Sequence, residues 1–283
     1  MMPFPPLIDA GDLLARIGDP RLVVLDASWY LPAAGRDARA DFRAAHLPGA
    51  QFFDIDAASD QDTALPHMAP PAARFEAIAV ALGISGDSTV VVYDGSGTNL
   101  SAARAWWLFR LFGHERVSVL DGGIGHWRSA GFPLESGGAR DRPPGRFVAR
   151  LHPAHLRSLD AVQAALATAS AQVVDARPQG RFRGVDPEPR PGLRGGHMPG
   201  AISLPHGELV DASGRLLAPP LLRSRLLDAG VNLELPVVAT CGSGTSACAV
   251  LLALDAIGAP PGALYDGAWA EWGARADTAV ETG

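Results

Sequence analysis

Residues 237–247 read VVATCGSGTSA, and the stretch from Val90 to Ala102 reads VVVYDGSGTNLSA. Each is a β-branched apolar run that ends in a loop of small residues, and the telling difference is Cys241 against Asp94. The apolar runs, Val90 to Tyr93 and Val237 to Ala239, have the composition of buried strands. The apolar segments that follow, Ala102 to Phe112 and Ala247 to Ile257, are long enough for helices. The loop therefore sits at a strand's carboxyl end, against a helix N-terminus, where open α/β sheets bind their ligands.

Working outward, three further landmarks recur. LVVLDAS at Leu22 answers to QVVDARP at Gln172, HLPGAQ at His46 to HMPGAI at His197, and VLDGGIGHW at Val119 to LYDGAWAEW at Leu264. The separations Asp26 to Asp175, His46 to His197, Asp94 to Cys241 and Asp121 to Asp266 are 149, 151, 147 and 145 residues. A fixed order with a nearly constant offset means two copies of one domain. Within each copy, short apolar runs alternate with longer amphipathic stretches, which predicts an α/β fold: a mainly parallel sheet with helices on both faces, twice in tandem. The Pro/Gly/Arg-rich stretch Glu135 to Arg146 marks the junction. Boundaries are set at 1–136 for the first domain, 137–155 for a linker and 156–283 for the second domain.

Composition narrows the function. The chain has 283 residues and a net charge of -6, which disfavours nucleic acid or an anionic membrane as partner. All 24 basic residues are Arg, so Schiff-base and P-loop lysine chemistry are excluded, and an anion must be held by Arg or backbone amides. Two cysteines, Cys241 and Cys248, form neither a disulfide framework nor a metal knuckle. Without an export signal or an apolar run of membrane-spanning length, the chain reads as soluble and cytoplasmic.

A thiol at the end of a strand, facing loop amides and the start of a helix, is placed to act as a nucleophile. Cys241 is that candidate, with Gly242, Ser243, Gly244 and Thr245 shaping the loop. Cys248, inside an apolar helical stretch, reads as a core thiol. His46 and His197, each beside a Pro-Gly pair, read as architectural, and Asp121 and Asp266 as turn residues. Trp106, Trp107, Trp127, Trp269 and Trp272 lie in helical stretches and read as packing.

The loop CGSGTSA resembles the active-site loop of the 3-mercaptopyruvate sulfurtransferases, two-domain members of the rhodanese family. The stretch DARPQGRFRGVDPEPRPGLRGGHMPGA, from Asp175 to Ala201, resembles that family's signature, and the likeness covers nearly the whole chain. It departs at Thr245-Ser246-Ala247, where the family more often has Val-Thr-Ala. The resemblance implies a Cys241 persulfide that carries sulfur from a mercapto-acid donor to a thiol acceptor or cyanide, releasing pyruvate, with no metal or organic cofactor. A thioredoxin-like protein is one such acceptor. It implies that Arg181 and Arg190 bind the donor's carboxylate and that Asp56, His67 and Ser243 form a proton relay. Arg177 and Arg183 are left as structural or flanking, and Asp94 as scaffold. Ala247 stands where a phosphatase-type loop needs Arg, which disfavours phosphate chemistry. Two alternatives stay open: a thiosulfate sulfurtransferase, whose dianionic donor usually calls for basic residues just after the Cys, and a catalytically silent binding module.

Overall fold

The structure, a computed structural model, describes residues 4–283. Two compact units make up the chain. The first contains residues up to Asp60, Ala69–His152 and Asp211–Leu216; the second contains Gln61–Met68, Pro153–Val210 and Leu217–Gly283. Each unit thus includes one short segment from the other half of the sequence.

In the first unit the elements run β1 (Leu7–Ile8), α1 (Ala10–Leu14), β2 (Leu22–Asp26), α2 (Ala38–Ala44), β3 (Gln51–Phe52), α3 (Ala72–Ala81), β4 (Thr89–Tyr93), α4 (Leu100–Leu111), β5 (Val117–Leu120) and α5 (Gly123–Ser129). Its five strands pair in parallel in the order β1-β5-β4-β2-β3. The second unit repeats the plan with β6 (Leu156–Arg157), α6 (Leu159–Thr168), β7 (Gln172–Asp175), α7 (Gln179–Phe182), β8 (Ile202–Ser203), α8 (Pro219–Asp228), β9 (Val237–Thr240), α9 (Ala247–Ala256), β10 (Ala263–Tyr265) and α10 (Ala268–Trp272). Its sheet, all parallel, has the order β6-β10-β9-β7-β8. The α/β fold expected from the repeat is the fold found. The central strands are continuous apolar runs because both faces of a parallel sheet are covered: β9 is buried at every position, and β4 at all but its first.

An aromatic cluster forms part of the first core, where Phe75 meets Phe109, Phe112 and Phe147 at centroid distances of 5.1, 4.6 and 5.8 Å. Phe147 lies past the Pro/Gly-rich stretch, so residues following that stretch still pack into the first core. In the second core Val173, Val238, Tyr265 and Trp269 cluster in the sheet interior. The two architectural histidines behave alike. Nδ1 of His46 lies 2.8 Å from the Phe42 carbonyl, and Nδ1 of His197 lies 2.9 Å from that of Phe182. Each ring stacks on its phenylalanine.

The strand-end acids Asp26 and Asp175 share a turn and differ in their charge environment. In each, Oδ1 accepts the N–H two residues on, from Ser28 at 2.9 Å and from Arg177 at 3.0 Å. The Arg177 side chain also neutralises Asp175, whereas Ser28 brings no charge to Asp26. Burial therefore dominates at Asp26 and pushes its carboxyl up from an ordinary 3.8 to about 6, against the hydrogen bonds from Ser28 and Tyr93.

An acid that binds its proton more tightly in the folded chain opposes folding once ionised. The penalty is absent below about pH 4, grows as pH rises to about 6, and is complete above that; its full size is on the order of 3 kcal/mol. Asp26→Asn is accordingly expected to gain stability over wild type as pH rises from about 4 to about 7. Denaturant unfolding at both pH values measures this, and a difference between the two proteins that does not change with pH contradicts the assignment.

Candidate active site

Cys241 follows β9 directly and is 2% exposed, at the carboxyl edge of the second sheet. Its carbonyl accepts the Trp269 N–H at 2.8 Å, and the Gly242 carbonyl accepts that of Ala270 at 3.0 Å, so the loop is held by the first turn of α10. Gly244 adopts φ 77°, the left-handed region that glycine enters without strain, and turns the chain toward α9. Cys248 is fully buried as the second residue of that helix and donates its S–H to the Gly244 carbonyl at 3.3 Å. The second thiol thus supports the loop from within the core.

His67 sits in the same unit as this loop, in the segment Gln61–Met68. Its Nδ1 is 3.0 Å from Ser243 Oγ and 3.2 Å from Thr245 Oγ1, and all three side chains are buried. The histidine has φ 60°, in the left-handed region that few residues other than glycine enter, and its ring contacts to Ser243 and Thr245 accompany that conformation. Asp56 belongs to the first unit, where Trp29 Nε1 donates to both its carboxylate oxygens at 3.1 Å.

Arg181, at the end of α7, lies against the loop at Gly242. A Cβ built on Gly242 would stand 2.9 Å from Arg181 Nη2, so only glycine lets the guanidinium come this close. Glu188 holds it: Oε2 accepts from Nε at 3.2 Å and from Nη2 at 2.5 Å. The other Glu188 oxygen accepts from Arg177 Nη1 at 2.7 Å. Arg177 is 1% exposed and also pairs with Asp175, donates to the Gly196 carbonyl at 2.7 Å, and stacks 4.2 Å over the Trp269 ring. Four charges, two of each sign, therefore form one chain from the end of β7 to the thiol loop. His206 completes this edge with Nδ1 3.2 Å from the Ala176 carbonyl; burial holds its imidazole below the ordinary value, and nearby Arg181 pushes the same way. Arg190 is half-buried in a bend two residues beyond Glu188.

The structure so brings together Ser243, Thr245 and His67, and separately Arg181 with Gly242. Glu188, the clamp made by Arg177, His206 and the double contact of Trp269 escape the sequence reading. The only hint is an acid, Glu188, set between prolines in DPEPR.

A model of the rhodanese-like domain matches residues 9–130 and again 158–275. The chain belongs to the rhodanese family. It is 45% identical over 262 residues to 3-mercaptopyruvate sulfurtransferase of Homo sapiens, covering 92% of this chain and 88% of the relative. It is 42% identical over 272 residues to thiosulfate sulfurtransferase of Mus musculus, covering 95% and 91%. Among solved structures it superposes on SseA from Escherichia coli, described as a 3-mercaptopyruvate sulfotransferase with the rhodanese fold. The TM-score is 0.86 with 38% identity, over 94% of this chain and 99% of that one. This rhodanese is a sulfurtransferase. Among its described residues no helix is long and apolar enough to cross a membrane.

Removing Arg177 leaves the buried Asp175 carboxylate without its counter-charge, at about 3–5 kcal/mol, while Glu188 keeps Arg181. Arg177→Met is expected to lose that much stability, while Arg183→Met, at an exposed position, stays within about 0.5 kcal/mol of wild type. Urea unfolding of the two variants measures it; similar values for both contradict the clamp.

Proposed function

We propose that 3-mercaptopyruvate is the sulfur donor and Cys241 the sulfur carrier. The observation that carries this reading is the seating of Arg181 on Gly242, next to Cys241. No basic residue follows Cys241 within the loop, so the cationic group at the thiol is a planar fork of the kind that pairs with a carboxylate. Arg190, in the same segment, is assigned to the same carboxylate on the family resemblance.

The Cys241 thiolate attacks the donor's thiol sulfur. An S–S bond forms and the C–S bond breaks, its electron pair passing into the enolate of pyruvate, which takes a proton at C3. A thiolate acceptor then attacks the outer sulfur of the persulfide and Cys241 leaves as thiolate, so the cycle needs no external oxidant. The first repeat supports an anionic sulfur at this position: there, the Asp94 carboxylate accepts N–H bonds from Ser96, Ser101 and Ala102, each at 2.9 Å. The proton relay is assigned to Ser243 and His67 on their contact, with Thr245 orienting the ring. Asp56 is retained as its acidic member on the resemblance alone. A thiol acceptor of the thioredoxin-like class and a cytoplasmic setting complete the reading.

The identity to a thiosulfate sulfurtransferase favours a second reading, in which thiosulfate is the donor. Steady-state comparison of mercaptopyruvate and thiosulfate in wild type separates the two: the proposal expects higher kcat/KM for mercaptopyruvate. Mercaptoacetone, with a methyl group where mercaptopyruvate has its carboxylate, then tests the arginines. Arg181→Ala and Arg190→Ala should each lower kcat/KM for mercaptopyruvate by about tenfold or more and change that for mercaptoacetone little. Equal losses with both donors contradict the carboxylate role.

A further inference from the structure

The first unit has a cavity of about 260 Å³ at the carboxyl edge of its sheet, beside the loop that carries Asp94. Asp26, Ser28, Tyr30, Arg36, Asp41 and Arg128 line it, together with backbone at Gly95. Its construction follows from the repeat. Ser28 stands 149 residues before Arg177, as Asp26 does before Asp175. Where the second unit places a guanidinium on its strand-end acid, the first has a serine hydroxyl that accepts the Gly95 N–H at 2.9 Å. Asp26 is left 3% exposed with hydrogen bonds but, among the described residues, no cation paired to it. Its raised affinity for a proton is the expected sign of a buried acid lacking a counter-charge.

The rest of the pocket keeps what the thiol site has. Arg36 Nη1 donates to the Gly95 carbonyl at 3.1 Å, and Nε and Nη2 bind Asp41 at 3.1 and 2.6 Å. An arginine again rests on the loop glycine and is held by an acid, as Arg181 is by Glu188. A Cβ at Gly95 would lie 2.6 Å from the Tyr30 hydroxyl, so any larger residue there would push the phenol aside. Burial pushes that phenol up to about 12, so it stays a hydrogen-bond donor. Arg128, on α5, is exposed, and among the described residues its guanidinium has no ion pair.

Two acids and two arginines share one small space. A purely anionic ligand meets Asp26 and Asp41; a purely cationic one meets Arg36 and Arg128. The volume lies just below the range of about 300–1,000 Å³ typical of pockets for drug-sized ligands, which favours a small-molecule occupant. The geometry points to a binding site for a small zwitterion of the α-amino-acid class, its ammonium on Asp26 where the second unit has the Arg177 guanidinium, and its carboxylate on Arg128 and Arg36. No sulfur chemistry attaches to this site, because Asp94 occupies the position of the thiol.

The test is titration of the full-length protein with L-alanine, followed by amide NMR shifts at Gly95 and Gly125, with pyruvate and ethylamine as probes of each charge alone. Saturable binding of L-alanine is expected, tighter than either single-charge probe. It should weaken about tenfold or more in Arg128→Ala and in Asp26→Asn, and remain unchanged in Arg181→Ala. Arg128 is exposed, so its replacement leaves the fold intact and keeps the test decisive should Asp26→Asn fold poorly. Absence of saturation, undiminished binding in Arg128→Ala, pyruvate or ethylamine binding as tightly as L-alanine, or loss of binding in Arg181→Ala overturns the proposal.

Discussion

The second unit depends on one buried guanidinium. Arg177 touches the end of β7 through Asp175, the long segment after α7 through Glu188 and the Gly196 carbonyl, and α10 through the face of Trp269. Trp269 in turn donates its backbone N–H to Cys241 and its indole N–H to the Arg194 carbonyl. A charge so deeply buried is tolerable only with its partners in place, and that requirement fixes the segment that carries Arg181. The arginine beside the thiol is therefore positioned before any donor arrives, which lowers the ordering cost of binding.

Comparison of the repeats shows how little sequence separates a reactive loop from a structural one. Both loops end a buried central strand, turn through glycine and lead into an apolar helix. With Asp94 the converging amides hold a permanent carboxylate, and Ser101 Oγ adds a further bond at 3.2 Å. With Cys241 the same position holds an atom that can accept and give up a sulfur. The Ser28 and Arg177 pair shows the converse, since the first unit, with a serine where the second has an arginine, has a space beside its strand-end acid.

The fold was legible because parallel strands buried on both faces leave continuous apolar runs, and because four landmarks recur at nearly one offset. Cys248 was legible as core from its apolar helix. What stayed hidden are contacts made through space. Glu188 has no periodicity to betray it, and Asp121, readable as a turn residue, also accepts the Leu216 N–H at 2.7 Å and pairs with Arg215 at 3.1 Å. Those contacts hold Asp211–Leu216 in the first unit, as Gln61–Met68, with His67, belongs to the second. Neither segment has regular structure, so neither carries a pattern from which its place could be read. The candidate site was half legible: its thiol, loop and arginines can be picked out from their motifs by residue type, whereas nothing in those same motifs shows that Glu188 clamps Arg177 and Arg181 or that Trp269 covers Arg177.

The central claim is that one sulfur atom rests on Cys241 between two half-reactions. Mass spectrometry of the protein after brief exposure to mercaptopyruvate, without acceptor, addresses it directly. The account predicts a gain of a single sulfur per chain, mapped to the peptide containing Cys241 and discharged when a thiol acceptor is added. Sulfur on Cys248, or turnover with no sulfur retained on the protein, would contradict it.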